Sequence, residues 1–120
     1  MTESPATDDR PPICREFLER FRERPEFLAR LFEVFLTEEP GRMARIEAAV
    51  AADDRELVRF LAHSLKGASA TMGMERLCDA CRALEFAVKE DRPERLSPCC
   101  VLVRSEIEAV FAAMRAGTAE

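Results

Sequence analysis

The chain has 120 residues, 48% hydrophobic and 34% charged, which is the balance of one folded domain rather than of a disordered segment. Its 23 acidic and 18 basic residues give a formal net charge of −5. This charge argues against a general nucleic-acid binder, because such proteins carry a basic excess that neutralises phosphates. No apolar run approaches the roughly 18–20 residues of a membrane span and no signal-peptide pattern opens the chain, so we expect a cytoplasmic protein that does not enter membranes.

Apolar residues recur at steps of three and four, which predicts helices throughout the chain. Residues 1–12 are polar and carry three prolines, and we expect a flexible tail there, followed by one helical domain over residues 13–117. A short helix around Phe17 comes first, and Pro25 fits the start of the next helix. Pro40-Gly41 then interrupts the apolar pattern, so either one long kinked helix or two helices in tandem are possible.

Three further helices are predicted in the second half of the chain. Asp53-Asp54 is a start signal for the first of them, and Gly73 is placed to end it. Its predicted buried face has five residues: Leu57, Leu61, Leu65, Ala68 and Met72. The next helix has an apolar face of Leu77, Cys81, Leu84 and Val88. Ser97-Pro98 is predicted to begin the last helix, which ends near Gly117. We therefore predict an all-α fold, a monomeric antiparallel four-helix bundle with an additional short N-terminal helix.

His63 is the only histidine of the chain. At about 100° per residue it lies about 160° from Leu65, the reference of the buried face, and therefore faces solvent. An idle surface histidine is the plain alternative, but two neighbours argue against it. Lys66 follows one turn later, and Gly67 stands mid-helix, where glycine costs about 1 kcal/mol relative to alanine. An exposed imidazole beside a cation and an open space suits a phosphoryl acceptor.

The run His63-Ser64-Leu65-Lys66-Gly67-Ala68-Ser69, followed by Gly73, Leu77, Cys81 and Leu84-Glu85, resembles a histidine-containing phosphotransfer (HPt) domain. The resemblance covers roughly residues 13 to 115. It implies a phosphocarrier that moves a phosphoryl group between receiver-domain aspartates, with His63 as phosphoacceptor, Lys66 as phosphoryl stabiliser and Gly67 as the residue that leaves room for the partner.

The same resemblance implies that the partners are response-regulator receiver domains and a hybrid sensor histidine kinase. Mg²⁺ belongs to the receiver, so we expect no cofactor or metal in this chain and no enzymatic turnover of its own. Phe60, Arg59 and Ala70 share the outer face with His63 and Gly67, and we expect receivers to dock there. The fit of nearly the whole chain to one bundle favours a free-standing protein.

Two alternatives stay open. Cys78-x-x-Cys81 together with Cys99-Cys100 could form a metal or redox site, although cysteines within apolar helical patterns are more often core residues. The chain could also be an HPt-like bundle that is never phosphorylated and acts as a docking module in signalling.

Overall fold

The computed structural model describes residues 8–118, and every regular element in this range is helical. The order is α1 (Arg15–Arg20), α2 (Pro25–Ala51), α3 (Arg55–Thr71), α4 (Glu75–Lys89), a short 3-10 helix (Pro93–Arg95) and α5 (Leu96–Thr118). The predicted all-α class, a helical bundle with an additional short N-terminal helix, is confirmed. None of the described helices is long and apolar enough to cross a membrane.

The N-terminal segment is described only from residue 8 onward, so residues 1–7 of the predicted flexible tail lie outside the described residues. The remaining part of that tail contacts α4. Arg10 pairs with Asp79 at 2.9 Å, and Arg76 donates a hydrogen bond to the backbone carbonyl of Arg10 at 2.9 Å. These contacts place the segment against α4 ahead of α1.

The long helix α2 is continuous through Pro40, which decides between the two arrangements that the sequence allowed. Pro25 stands in its first turn, where a missing backbone N–H costs no intrahelical hydrogen bond. Pro40 is exposed, so the carbonyl that loses its hydrogen-bond partner one turn earlier is on the side of the helix that water reaches. A helix of this length supplies one full side of the bundle.

The boundaries of α3 follow local chemistry. The Asp54 side chain accepts a hydrogen bond from the backbone N–H of Leu57 at 3.3 Å and caps the first turn. Gly73 adopts φ +70°, a left-handed conformation that ends the helix. A Cβ at Gly73 would lie 2.7 Å from Phe17 Cβ and 2.8 Å from Cys14 Sγ, so the close approach of α1 also requires glycine.

The predicted start of α5 at Ser97-Pro98 is wrong, because the helix begins at Leu96. Pro93 opens the 3-10 helix that leads directly into it, and this turn supplies the start that the sequence pattern assigned to Ser97. Pro98 is accommodated within the first turn of α5, where backbone N–H groups have no intrahelical partner.

One hydrophobic core lies between α2, α3, α4 and α5. Its largest fully buried side chains are Met43, Ile46, Val58, Leu65, Met74, Leu77, Cys81, Leu84, Val103, Ile107, Val110 and Met114. The predicted buried face of α3 needs correction, because Leu57, Ala68 and Met72 are only half-buried.

The buried residues of α3 are Val58, Leu61, Ala62, Leu65 and Ser69. This face is rotated by about 50° from the predicted one, because α3 packs between α2 and α4. The newly buried residues are Val58 and the small side chains of Ala62 and Ser69. His63 stays outside the buried arc under either description.

Candidate functional site

His63 projects from the middle of α3, and 66% of its side chain is exposed. Its Nδ1 atom lies 2.8 Å from Oε2 of Glu85, on the facing helix α4. Glu85 is far less accessible, with 18% of its side chain exposed. The site therefore consists of an exposed imidazole that rests on a largely covered carboxylate.

The second oxygen of the same carboxylate binds Lys66, whose Nζ lies 2.8 Å from Oε1 of Glu85. Burial opposes ionisation of Glu85, but the hydrogen bonds from Lys66 and His63 outweigh it and lower the pKa of the carboxyl. Glu85 is consequently an ionised acceptor at neutral pH. It holds one cation and one imidazole side by side on α3.

The protonation pattern of the imidazole follows from this contact. An ionised carboxylate can only accept hydrogen bonds, so the atom that faces it, Nδ1 of His63, carries the proton. The lone pair of the neutral ring then belongs to Nε2. The pair with Glu85 thus makes Nε2 the nucleophilic atom and fixes the orientation of the ring.

Gly67 lies on the exposed side of α3, one turn after His63. A Cβ at this position would meet no atom within 4 Å, so nothing inside the described chain requires a glycine here. Glycine in the interior of a helix also makes that helix less stable than alanine would. The open space beside His63 is therefore available to something outside the chain, and the role of Gly67 towards a partner stays a prediction.

The other residues of the predicted docking face also lie on the surface. Arg59 and Ala70 are exposed, and Phe60 is 64% exposed although it is a large apolar side chain. The structure thus leaves His63, Gly67, Phe60, Arg59 and Ala70 accessible on α3. Their roles in docking stay predictions.

Two residues of the site received no role from the sequence: Glu85 and its neighbour Phe86, which is 58% exposed. The sequence did contain a signal for the position of Glu85. Helices α3 and α4 are joined by a short turn at Gly73, so residues at similar distances from this turn face each other. His63 stands ten residues before Gly73 and Glu85 twelve residues after it.

Helix α2 contributes a second polar contact next to the histidine. Arg42 donates from Nη1 to the hydroxyl of Ser64 at 2.8 Å, and its Nε lies 3.1 Å from Oε1 of Glu39. Glu39 is buried, and burial raises the pKa of its carboxyl, although the charge of Arg42 partly offsets this. This network ties α2 to the residue that follows His63.

The five cysteines are all free thiols. Burial, before all other causes, raises the pKa of Cys81 to about 12, and burial likewise raises the pKa of Cys99 and Cys100. Across residues 8–118 no group of three or more His, Cys, Asp or Glu side chains is placed to hold a metal ion. Nothing in this part of the chain supports the four-cysteine alternative.

The fold and the site together define a class of protein: a helical bundle that presents one exposed histidine beside a lysine on the outside of a core helix. Comparison with protein families supports this class directly, since residues 30–116 match the model of the Hpt domain. Comparison with curated proteins finds no significant match.

Among solved structures, the crystal structure of histidine-containing phosphotransfer protein B (HptB) from Pseudomonas aeruginosa PAO1 is similar. The two chains are 24% identical, 94% of each is covered, and the TM-score is 0.76, so the likeness concerns the fold. Because the family match spans most of the chain, the protein belongs to the Hpt domain family. It is a phosphotransfer protein of two-component phosphorelays, and proteins of this family are phosphocarriers rather than enzymes.

Proposed function

We propose that the chain relays a phosphoryl group between the aspartates of receiver domains through a phosphohistidine at Nε2 of His63. The contact between His63 Nδ1 and Glu85 Oε2 at 2.8 Å is the observation that carries this proposal. It prepares one ring nitrogen for attack and leaves the ring accessible to a partner. An idle surface histidine would need no such support from a neighbouring helix.

The transfer step conserves atoms and electrons. The Nε2 lone pair attacks the phosphorus of an aspartyl phosphate, an N–P bond forms, and the P–O bond to the acyl group breaks. The electron pair of that bond leaves with the aspartate as a carboxylate. The ring becomes positively charged, and Glu85 balances this charge through the proton on Nδ1. The reverse step passes the phosphoryl group to the next receiver.

Lys66 supplies the charge that the product needs. A phosphoryl group brings roughly −2 charge near neutral pH, and Lys66 is held one turn from His63 by Glu85. Its ammonium can turn from the carboxylate towards phosphoryl oxygens without leaving the site. We expect Mg²⁺ to be bound by the receiver, so this chain needs no metal or cofactor.

Docking is proposed over the face that carries Phe60, Arg59, Gly67 and Ala70, with response-regulator receivers and a hybrid sensor histidine kinase as partners. Phe60 supplies exposed apolar surface, and Gly67 lets a receiver approach the imidazole closely. We further propose that the chain acts as a monomer in the cytoplasm.

The test is phosphotransfer from a panel of radiolabelled receiver domains to the wild-type chain and to His63→Gln. We expect label on the wild-type chain that is labile in acid and stable in alkali, as an N–P bond requires, and none on His63→Gln. Label that persists in His63→Gln, or that is stable in acid, would refute the proposal. If receivers bind but transfer no label, the chain is the docking bundle that is never phosphorylated.

A further inference from the structure

A groove runs between α3 and α4 directly beside His63, with a volume of about 610 Å³. Four cationic side chains line it, together with Glu85 and Phe86: Arg59, Lys66, Arg82 and Lys89. This set, called the α3–α4 groove below, holds four cations against one carboxylate in a chain whose net charge is −5. Such a concentration of positive charge on an acidic protein favours a partner whose contacting surface is negatively charged.

The cations of the groove differ in what they bind. Lys66 pairs with Glu85 at 2.8 Å, and Arg82 pairs with Asp79 at 2.7 Å. Within residues 8–118, no carboxylate lies within ion-pair distance of Arg59 or Lys89. These two side chains are therefore available to carboxylates of another molecule.

The positions of these cations follow from the pairing of the helices. His63 contacts Glu85, so Arg59, four residues before His63, and Lys89, four residues after Glu85, lie at the same end of the groove. Lys66 lies towards the opposite end. Positive charge thus flanks the histidine on both sides along the groove, with the unpaired cations at the end away from Gly73.

The groove also presents apolar surface. Phe86 and Val88 line it from α4, and the Phe86 ring is 58% exposed. A small free anion would neutralise the cations but leave this ring in water. A nucleic acid is disfavoured by the overall negative charge. An occupant that satisfies both features is a protein surface with an apolar side chain between carboxylates.

We propose that the α3–α4 groove selects among receiver domains by charge. The favoured receiver places an apolar side chain against Phe86 and carboxylates against Arg59 and Lys89, while its active-site aspartate reaches His63. This inference rests on the proposed phosphotransfer function. The occupant is assigned as the receiver because Glu85 and Lys66 belong to both the groove and the histidine site, so any molecule in the groove meets the same residues.

The experiment measures initial rates of phosphotransfer from a phosphorylated receiver, at concentrations well below and well above saturation. The variants are Lys89→Glu and Arg59→Glu. Arg30→Glu is the matched control, because Arg30 is an exposed arginine far from the site. It lies on α2, twelve residues or about 18 Å along the helix from Arg42, which contacts Ser64 beside His63. Rates are compared at about 0.05 M and 0.5 M salt, since screening weakens interactions between exposed charges.

At low salt, we expect Lys89→Glu and Arg59→Glu each to lower the rate below saturation by about tenfold and to leave the rate at saturation within about twofold. At high salt, most of this loss of rate should disappear. Phe86→Ala should also lower only the rate below saturation, by about fivefold, and this loss should persist at high salt. Circular dichroism confirms that each variant is folded.

The outcomes separate the two proposals. If the wild-type chain transfers phosphate and Lys89→Glu and Arg59→Glu behave like Arg30→Glu, the groove is not a docking surface, and the phosphotransfer function stands. If their loss of rate persists unchanged at high salt, the selection is not by charge and the inference fails. If no receiver phosphorylates the wild-type chain, both proposals fail together.

Discussion

His63 and Glu85 are 22 positions apart in the sequence, yet Nδ1 of the imidazole and Oε2 of the carboxylate are 2.8 Å apart across two helices. The histidine is exposed and the glutamate largely covered, so α4 supports the ring and leaves most of it accessible. The same carboxylate binds Lys66. One acidic residue therefore organises both the nucleophile and the cation of the site.

Removal of this support should slow phosphotransfer without abolishing it. In Glu85→Ala the ring loses its orienting partner and Lys66 its ion pair, and we expect the rate of transfer at saturating receiver to fall by about tenfold or more. Glu85→Gln, which still accepts a hydrogen bond through its amide oxygen, should lose less. Rapid-quench measurement with a labelled receiver gives these rates, and equal rates for all three chains would show that Glu85 has no positioning role.

Two substitutions at Gly67 should separate an effect on stability from an effect on phosphotransfer. Because a Cβ there meets no atom within 4 Å, Gly67→Ala should raise the free energy of unfolding by about 1 kcal/mol through helix propensity. Gly67→Leu should keep the helix content and yet block transfer, because its side chain fills the space beside His63. Urea denaturation and the transfer assay test the two effects. Wild-type transfer rates in Gly67→Leu would contradict the proposed clearance.

Substitution of Gly73 by alanine should change the free energy of unfolding in the direction opposite to Gly67→Ala. Its φ of +70° disfavours any L side chain, and an added Cβ would lie 2.7 Å from Phe17 Cβ. We expect Gly73→Ala to lower the free energy of unfolding by about 2–4 kcal/mol, measured in urea beside Gly67→Ala. A loss below about 0.5 kcal/mol would show that α1 moves away at little cost.

Local patterns were sufficient for much of this architecture. The cap at Asp54, the stop at Gly73 and the exposed position of His63 depend on residues within one helix, and each could be predicted from spacing alone. The continuity of α2 through Pro40 could not, because helix propensity opposes it and the packing of the surrounding bundle decides.

The rotation of the α3 buried face had a similar cause. Ala62 and Ser69 are buried because α2 and α4 approach on either side, and their size and polarity give no apolar signal. The role of Glu85 depends on the register between α3 and α4, which becomes visible only when both helices are placed. Tertiary packing therefore supplied what the periodicity of single helices could not.

Glu39 makes stability depend on pH in a direction opposite to that of an ordinary paired carboxylate. Burial raises its pKa above the ordinary value of 4.5, although the charge of Arg42 partly offsets this. The folded chain therefore binds the proton of Glu39 more tightly than the unfolded chain does. The stability that this group contributes is complete below the unfolded pKa and is lost as pH rises through the folded pKa.

Glu39→Gln cannot ionise, so its free energy of unfolding relative to the wild-type chain should increase as pH rises from below the ordinary carboxyl pKa through the raised pKa of Glu39. Urea denaturation across this range measures the difference. Glu38→Gln is the control, since Glu38 is the exposed neighbour on the same helix. A difference that stays constant or falls with rising pH would show that Arg42 fully compensates the buried charge.

Lys66 should determine how long the phosphohistidine survives rather than whether it forms. In Lys66→Ala the nucleophile and its support by Glu85 remain, so we expect label to appear on His63. The roughly −2 charge of the phosphoryl group then stands near Glu85 without a cation between them. Repulsion of this kind should shorten the lifetime of the phosphohistidine and lower its steady-state yield by about three- to tenfold.

Lys66→Arg is the informative companion to this variant, because it keeps the positive charge but changes its shape and reach. If charge alone matters, Lys66→Arg should restore most of the lifetime that Lys66→Ala loses. The measurement is the decay of label on the isolated, phosphorylated chain after the receiver is removed, at fixed pH. A lifetime in Lys66→Ala equal to that of the wild-type chain would show that the ion pair with Glu85 at 2.8 Å serves only to join α3 to α4.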